Sequence, residues 1–321
     1  MRAAIYERYG KAREVLAVRE IDRPEPGPGE VRVRVEFSGV NPTDWKSRSG
    51  LTARPIDGFQ VPHQDGAGVI DAVGAGVDPA RVGERVWIWF AASGKWGTAA
   101  QWSVVPDNQA VRLPEGVSAE VGACLGVPAM TAHWCLFADG PVAGQTLLVA
   151  GGAGAVGHYA IELAKWAGAR VVTTVSGPAK ADLAQRAGAD LVVNYTQPGA
   201  ADTIREFGPV DRVIEVALGA NIGLDLAVTG QQGHIVSYAA EPQDPVLPVR
   251  ACMNANVILR FVLLYGVPAD ALNRAAADIT AALTDGALTG LPVHRYSLDD
   301  VAAAQDAVQA GAVGKVLVAT S

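Results

Sequence analysis

Apolar and charged residues alternate with a period of two through residues 30–40, EVRVRVEFSGV. A strand that buries one face and exposes the other has this period, because successive side chains point to opposite faces. A proline- and glycine-rich segment, RPEPGPGE, precedes the run and is typical of a turn. GAGVIDAVGAGV and GERVWIWF have a similar pattern. The first third of the chain is therefore predicted to consist mainly of strands and turns.

A different pattern begins near residue 146. TLLVAGGAGAVGHYAIELAKWAGARVVTTVS is typical of an apolar strand, a glycine turn, an amphipathic helix and a second apolar strand. ADLAQRAGADLVVNY adds a helix and a strand, and VDRVIEVA and GHIVSYA add two apolar runs. Strands and helices that alternate at this spacing predict right-handed parallel βαβ units. We therefore expect an α/β protein, which ends in further helices and a short strand after about residue 265.

A glycine motif lies between the first apolar strand and helix of this region. GGAGAVG at 151–157 contains Gly152-x-Gly154-x-x-Gly157, with Ala155 and Val156 between the last two glycines. This context is typical of a dinucleotide-binding loop, because the missing side chains let the backbone approach a pyrophosphate at the helix N-terminus. The alternative is a glycine-rich turn without a ligand.

The end of the second apolar strand predicts which dinucleotide is bound. NAD sites usually have an acidic residue there, but this chain has Ser176, followed by Lys180. No carboxylate repels a 2′-phosphate, and an ammonium is available to bind one. NADP(H) is therefore the predicted cofactor, although Lys180 could also be an ordinary solvated lysine.

Composition limits the classes of partner. Half of the 321 residues are hydrophobic and 18% are charged, which is typical of a globular protein of about two domains. The net charge of −7 without a basic run argues against a nucleic-acid or membrane partner. Three cysteines without a CxxC pair, and a charged N-terminus, predict a cytoplasmic protein. The uncharged run at 141–161 contains five glycines and fits a strand, turn and helix better than a membrane span.

Several segments together resemble one superfamily. SGVNPTDWKSRSG, DGAGVIDAVGAGV, GERVW, AGGAGAVG, AGADLVVNY and GKVLV occur in this order. The chain thus resembles the medium-chain dehydrogenases/reductases, and within them the zinc-free, zeta-crystallin-like quinone oxidoreductases. The resemblance implies a GroES-like, mostly β catalytic domain at residues 1–122, completed by 266–321. It also implies a Rossmann domain, a doubly wound parallel sheet that binds NADP(H), at 123–265.

The same resemblance predicts that no metal is bound. Zinc alcohol dehydrogenases have a zinc-binding histidine in the stretch that here is VPHQDGAG. Its position falls on Gln64, its acidic neighbour on Asp65, and the two zinc cysteines on Asn41 and Val127. Asn, Gln and Val do not replace thiolate or imidazole ligands. Residues 90–102, where those enzymes carry a structural zinc lobe, contain no cysteine. His63, one place early, is more typical of a loop or core histidine.

Without zinc, no Lewis acid stabilises an alkoxide, so simple alcohol oxidation is disfavoured. A conjugated acceptor needs less help, since its own electrons move onto a distant oxygen as hydride arrives. The sequence therefore predicts a zinc-independent, NADPH-dependent reductase of quinones or other conjugated carbonyls. The alternatives are an NADPH-dependent enoyl or 2-alkenal double-bond reductase, and an NADPH-binding protein without significant turnover.

The resemblance assigns three catalytic candidates. Asn41 would face the substrate pocket, where its amide could donate to a developing oxyanion; alternatively it is a turn residue before Pro42. Lys46 stands where the commonest quinone oxidoreductases have tyrosine, and could donate a proton, anchor an anion or lie at the surface. Thr131 corresponds to the threonine that packs against the nicotinamide.

The predicted cofactor-binding residues follow from the glycine loop, the strand ends of a doubly wound sheet and the resemblance. They are Thr131, Gly152, Gly154, Ala155, Val156, Gly157, Ser176, Lys180, Tyr195, Ala217, Leu218, Tyr238, Ala239, Phe261 and Leu263. Tyr195 could instead be a strand-end aromatic residue, and Phe261 and Leu263 could belong to the core of an edge strand.

The apolar run NVILRFVLLYG at 256–266 predicts a homodimer. It is placed where the edge of the parallel sheet is expected, and a bare edge invites pairing with a second copy. Val262 would report on this pairing if its N–H crosses the interface. The alternative is a monomer in which a helix or loop of the same chain covers the edge.

Overall fold

The computed structural model describes residues 1–52, 54–241 and 243–321. The chain forms two compact units, residues 1–127 with 290–321 and residues 128–289. The strands are β1 (Arg2–Ile5), β2 (Ala17–Glu20), β3 (Glu30–Val40), β4 (Asp65–Val73), β5 (Arg85–Ile88), β6 (Trp102–Pro106), β7 (Ala110–Arg112), β8 (Thr146–Ala150), β9 (Arg170–Val175), β10 (Leu191–Asn194), β11 (Val210–Glu215), β12 (Thr229–Ser237), β13 (Ile258–Phe261), β14 (Val293–Ser297) and β15 (Lys315–Ala319).

The helices are α1 (Ala12–Val15), α2 (Pro42–Ser49), α3 (Ala119–Gly122), α4 (Gly126–Phe137), α5 (Ala155–Trp166), α6 (Pro178–Arg186), α7 (Ala200–Phe207), α8 (Leu218–Val228), α9 (Val249–Ala255), α10 (Ala269–Thr284) and α11 (Val301–Gln309). Short 3₁₀ turns cover Pro79–Arg81, Ala91–Ser93, Asp107–Gln109, Leu264–Gly266 and Leu298–Asp300. Within the described ranges, no helix combines the length and the apolar character that a membrane crossing requires.

The first unit is built around β3, which pairs with β4, β6 and β15 in a seven-stranded sheet. The predicted alternation is present, since Val31, Val33 and Val35 are buried. The same alternation predicts that Arg32 faces solvent, but its side chain is buried. It is buried because its guanidinium donates to Asp71 Oδ1 at 2.8 Å and to the carbonyl of Pro24 at 3.1 Å. The proline-rich turn thus covers this part of the strand.

The last segment of the chain completes this sheet. β15 runs antiparallel to β3, with Val316 opposite Val40, and parallel to β14. This register brings Lys315, the first residue of β15, close to the end of β3 and the start of α2. The C-terminal residues therefore add two strands to the sheet of the first unit.

The second unit contains a six-stranded sheet in the order β10-β9-β8-β11-β12-β13, and every pair in it is parallel. This is the strand order of a Rossmann fold. β8 is buried along its whole length, as a strand with helices on both faces requires. The carboxyl ends of the strands all meet one edge of the sheet. The predicted α/β class, with a mostly β part and a Rossmann part, is confirmed.

The unit boundaries differ from the predicted ones at 122/123 and 265/266. The chain enters the second unit after Val127 and leaves it only after Thr289. The reason is α10, which buries an apolar face that includes Leu272 and Ile279. Two polar contacts also hold this segment in the second unit: His133 bonds Asp278 at 2.8 Å, and the Thr289 N–H donates to Glu162 at 3.1 Å.

β13 is the last strand of the parallel sheet and pairs only with β12 among the described strands. Phe261 is 66% exposed and Leu263 is 71% exposed, so neither belongs to the core of this edge. The N–H of Val262 donates to the carbonyl of Ser237 at 2.8 Å, inside the sheet. The N–H of Val262 therefore does not cross an interface, and this residue cannot report on pairing between two copies.

Candidate functional site

The start of α2 in the first unit carries a buried polar network. Asn41 Nδ2 donates to Asp65 Oδ2 at 2.7 Å, and Lys315 Nζ donates to Asn41 Oδ1 at 2.6 Å. The same ammonium lies 3.1 Å from Asp65 Oδ2. Asp65 is fully buried, and Lys315 and Asn41 are 2% and 3% exposed. Three residues that are far apart in sequence thus form one closed set of charge-assisted hydrogen bonds.

Asp65 also reaches the start of α4. Its Oδ1 accepts the N–H of Val127 at 2.8 Å. A methyl group at Gly126 would collide with the Asp65 carboxylate, so only glycine allows this approach. Burial raises the pKa of Asp65, and the ammonium of Lys315 and the donated hydrogen bonds oppose that rise.

Asp44 anchors the first turn of α2. Its Oδ2 accepts the N–H of Asn41 at 2.7 Å, as expected of a framework residue. Burial, followed by the nearby Asp65 carboxylate, raises the pKa of Asp44 to about 8, so its neutral form predominates at pH 7. Arg48, on the next turn, is buried and donates from Nε to Gln305 Oε1 at 2.7 Å.

His63 is a core histidine in this structure. Its Nδ1 lies 2.8 Å from Ser38 Oγ, and its Nε2 lies 3.2 Å from the amide nitrogen of Gln305. Burial, together with the positive charge of Lys315, lowers the pKa of His63 to about 3. The ring is therefore neutral at physiological pH and is held between two polar side chains, which agrees with the predicted core role.

These residues do not fit a catalytic zinc ion. Both polar atoms of Asn41 are already bonded, Val127 offers no ligand atom, and Gln64 offers only a neutral amide. Asp65 accepts from three donors, one of them an ammonium that would repel a cation. Across residues 1–52, 54–241 and 243–321, no group of three His, Cys, Asp or Glu side chains could hold a metal ion.

A narrow cavity in the first unit lies beside this network. Its walls include the two aromatic rings of Tyr6 and Tyr9 and the polar side chains of Asp44 and Gln64. Asp44 Oδ1 and Gln64 Oε1 are buried and have no hydrogen-bond partner in the described chain. The cavity is therefore lined by aromatic rings and by two polar side chains, each of which retains one buried oxygen without a hydrogen-bond partner among the described residues.

The three glycines of the loop in the second unit have two different roles. Side chains at Gly152 and Gly157 would collide with Thr173 Oγ1 and with the carbonyl of Gly151, so these glycines allow the strand, turn and helix to pack closely. Gly154 is exposed and has no atom closer than 3.3 Å to a built Cβ. It caps α5 with φ −78°, which any residue can adopt. Its open side is available to a ligand.

Three predicted phosphate-binding residues lie together at the carboxyl edge of the parallel sheet. Asn194 pairs with Val175, so Tyr195 and Ser176 directly follow neighbouring strand ends. Lys180 Nζ donates to Ser176 Oγ at 2.9 Å, and both Lys180 and Tyr195 are exposed. An ammonium, a hydroxyl and an exposed ring thus lie close together beyond β9 and β10.

The remaining predicted cofactor residues follow the next strands at the same edge. Glu215, at the end of β11, accepts the N–H of Ala217 and the side-chain N–H of Asn221, which fixes the turn into α8. Leu218 begins that helix and is buried. After β12, Tyr238 donates its N–H to the carbonyl of Glu215 at 3.1 Å, and Ala239 follows it, half-buried.

Comparisons with known proteins agree with this architecture. Residues 27–115 match the family described as alcohol dehydrogenase GroES-like domain, and residues 155–280 match zinc-binding dehydrogenase. Human quinone oxidoreductase is 29% identical over 95% of this chain and 93% of its own length. The structure of a mycobacterial quinone oxidoreductase is 31% identical, with a TM-score of 0.86 and 99% of both chains covered. A mycobacterial structure in complex with NADPH is 30% identical, with a TM-score of 0.85 and 99% of both chains covered.

The chain belongs to the quinone oxidoreductase-like family of medium-chain dehydrogenases/reductases. The predicted family is confirmed, and so is the enzyme class, a medium-chain reductase of the quinone oxidoreductase type. The family matched by the second unit is described as zinc-binding. In this chain, however, the residues at the zinc-ligand positions do not fit a zinc ion.

The site residues assigned from the sequence fall into two groups. Asn41 and Lys46 lie in the first unit, and the others lie in the second. The half-buried Lys46 has its Nζ 5.9 Å from the centroid of the Trp45 ring. Thr131 is buried within α4, and Ala155 and Val156 are half-buried in the first turn of α5. The functional assignments of these residues stay predictions.

Sequence reasoning missed Lys315 and the cavity tyrosines. GKVLV was recognised only as a terminal motif, although a lysine at the start of a buried apolar strand is unusual and could have signalled a buried cation. Tyr6 lies in the N-terminal segment, and nothing in its local sequence distinguishes it from a surface tyrosine.

The two roles of the loop glycines lead to a paired prediction. Gly154→Ala should leave the free energy of unfolding within about 1 kcal/mol of the wild type, because the added methyl group meets only the Gly151 carbonyl oxygen, at 3.3 Å, a tight contact that a small backbone shift relieves. It should nevertheless weaken dinucleotide binding at least about tenfold, since the methyl group faces the ligand side of the loop. Gly157→Ala should instead cost about 1–3 kcal/mol of stability through overpacking. Thermal unfolding and fluorescence titration with NADPH measure both. Unchanged NADPH affinity in Gly154→Ala would show that the loop does not contact the cofactor.

Proposed function

We propose that this protein is a zinc-independent, NADPH-dependent oxidoreductase that transfers hydride to a quinone or another conjugated carbonyl compound. The observation that carries the proposal is the buried Asn41–Asp65–Lys315 network, which fills the position of a metal centre with satisfied hydrogen bonds. The site therefore offers hydrogen-bond donors but no Lewis acid.

The chemistry of the acceptor follows from this lack of a Lewis acid. Hydride addition to an isolated carbonyl concentrates negative charge on one oxygen, which a metal ion would otherwise stabilise. In a quinone or enone the electron pair moves through the conjugated system onto an oxygen at its far end, so less stabilisation is required of the protein. The protein then mainly binds and orients the reduced nicotinamide and the acceptor.

The choice of NADPH is supported by the second unit. Ser176 and Lys180 are hydrogen-bonded to each other at the end of β9, and no carboxylate occupies the position after that strand. A 2′-phosphate brought to this edge would meet an ammonium and a hydroxyl instead of an acidic side chain. The mycobacterial relative whose structure contains NADPH supports the same cofactor.

The first test compares acceptors. Wild-type protein should oxidise NADPH with 1,4-benzoquinone, and should do so equally well after exhaustive treatment with a chelator. Faster turnover with a 2-enal would favour the double-bond reductase instead. NADPH binding without oxidation by any acceptor would leave a binding protein and refute the proposed activity. Elemental analysis of the untreated wild-type protein should find no stoichiometric zinc. If chelation removed zinc and activity together, zinc independence would be contradicted.

The second test addresses Lys180. Lys180→Ala should weaken NADPH binding by about one to two decades, because a charge-assisted contact of ~1.5–3 kcal/mol is lost. NADH binding should be unchanged, since NADH has no 2′-phosphate. Arg186→Ala removes a positive charge from the other end of the same helix and is the matched control. Equal losses of affinity for NADPH and NADH would contradict the phosphate-binding role.

A homodimer paired along β13 is also proposed. The chain exposes a run of large apolar side chains at and before this sheet edge: Val246, Val249, Met253, Ile258, Phe261 and Leu263. Since Val262 bonds inward, the N–H groups of its two neighbours point away from β12. An unpaired edge with apolar side chains is suited to a second copy of the same strand.

The dimer is tested by a charge at the edge. Light scattering at micromolar concentration should give twice the chain mass of 33.2 kDa for the wild type. Ile258→Glu should shift the mass toward that of one chain, because the pairing would bury a carboxylate against the apolar side chains of the second copy. Leu51→Glu introduces the same charge at a 69% exposed residue of the first unit and should leave the mass unchanged. A wild-type mass of one chain at all concentrations would exclude the dimer.

A further inference from the structure

The Asn41–Asp65–Lys315 network contains a cation to which sequence comparison assigns no role. Lys315 is the first residue of β15, and its ammonium is almost fully buried. It donates to the side chains of Asn41 and Asp65. A buried ammonium costs free energy unless it is paired, so its retention at this place requires an explanation.

We propose that Lys315 is a positioning residue of the hydride-transfer site, which fixes and polarises the side-chain amide of Asn41. The proposal rests on the function proposed above and on the role predicted for Asn41 from the sequence, the donation of a hydrogen bond to the oxygen that gains negative charge.

Lys315 and Asp65 together determine which way the amide points. The oxygen and nitrogen of an asparagine amide have nearly the same shape, so its orientation depends on its partners. An ammonium only donates, and an ionised carboxylate only accepts. The Asn41 oxygen must therefore face Lys315, and its nitrogen must face Asp65. One N–H of that nitrogen is used by Asp65, which leaves the second for a ligand.

This orientation depends on the lysine charge. Asp65 is fully buried, and without a neighbouring cation its neutral, protonated form would be favoured. A protonated carboxyl both donates and accepts, so it would bind either end of the amide. Loss of the Lys315 charge thus removes the reason for a single orientation. The charge has a second effect: an amide whose oxygen accepts from an ammonium is polarised, and its N–H becomes a stronger donor.

The test replaces Lys315 by methionine, which has a similar length and no charge. Lys315→Met should lower kcat for quinone reduction about 10- to 100-fold, the loss expected for a misplaced hydrogen-bond donor. NADPH affinity should not change, because Lys315 lies in the unit that does not carry the glycine loop. Lys315→Arg keeps the charge and should recover part of kcat. Lys11→Met, at an exposed lysine of the same unit, is the control and should leave kcat unchanged.

The double variant Asp65→Asn with Lys315→Met distinguishes a positioning role of Lys315 from a purely structural one. Removal of both charges should restore the thermal stability that Lys315→Met loses, because no buried charge is left unpaired. The positioning role predicts that kcat stays low in this stable double variant. If kcat returns together with stability, or if Lys315→Met has the wild-type kcat per folded molecule, the proposal is wrong.

A spectroscopic measurement decides the point even if the wild type shows no turnover. With ¹⁵N-labelled asparagine, the side-chain amide of Asn41 gives a pair of proton signals, assigned by their loss in Asn41→Asp. In the wild type these signals should be distinct and slow to exchange with solvent. In Lys315→Met they should exchange faster and move toward each other. Unchanged signals would overturn the proposed orientation, whereas an inactive wild type with the expected signal changes would refute only the acceptor chemistry.

Discussion

The buried carboxylate of Asp65 is the constraint on which the first unit depends. A fully buried carboxylate needs donors on both oxygens, and these come from the end of β3, the start of α4 and the start of β15. Removal of one partner of such a buried pair typically costs about 3–5 kcal/mol, although the intact pair contributes little net stability. The network therefore specifies where these segments meet more than it stabilises them. Gly126 is part of the same constraint, since any side chain there would displace the carboxylate.

The features that were predicted correctly from the sequence are local ones. The period-two run of β3, the glycine loop and the alternation of strands and helices each depend on residues within about 30 positions, so the printed sequence contains the whole signal. Arg32 shows the limit of such reasoning. Its place in the alternation predicts solvent exposure, but the segment around Pro24 folds over it and Asp71 pairs with it. Asp71 lies 39 positions away, and the contact with Pro24 depends on the preceding turn folding back over the strand, which a period-two pattern does not describe.

The candidate site was only partly predictable for the same reason. Asn41 and Asp65 were identified through the resemblance, but nothing local indicates that their common partner lies 250 positions further along, at Lys315. A lysine is usually an exposed residue, and the apolar strand that follows Lys315 gives only an indirect sign of burial. The unit boundary after Thr289 was missed for a related reason. α10 is an amphipathic helix that would suit either unit, and its assignment depends on long-range contacts such as His133 with Asp278.

The residues at the zinc-ligand positions and the buried lysine have the same physical consequence, since neither favours a bound metal ion. A metal site needs anionic or imidazole ligands and a second shell that leaves them free to bind the ion. Here Asn41 and Gln64 are neutral, and the nearby Asp65 is already paired with an ammonium. The Lys315 ammonium would act on a substrate oxyanion only through the N–H group of Asn41. Such a donor stabilises much less charge than a divalent metal ion in direct contact. Under the proposed zinc-independent function, a substrate for such a site must delocalise most of its own negative charge, as quinones and conjugated carbonyls do and a simple alkoxide does not.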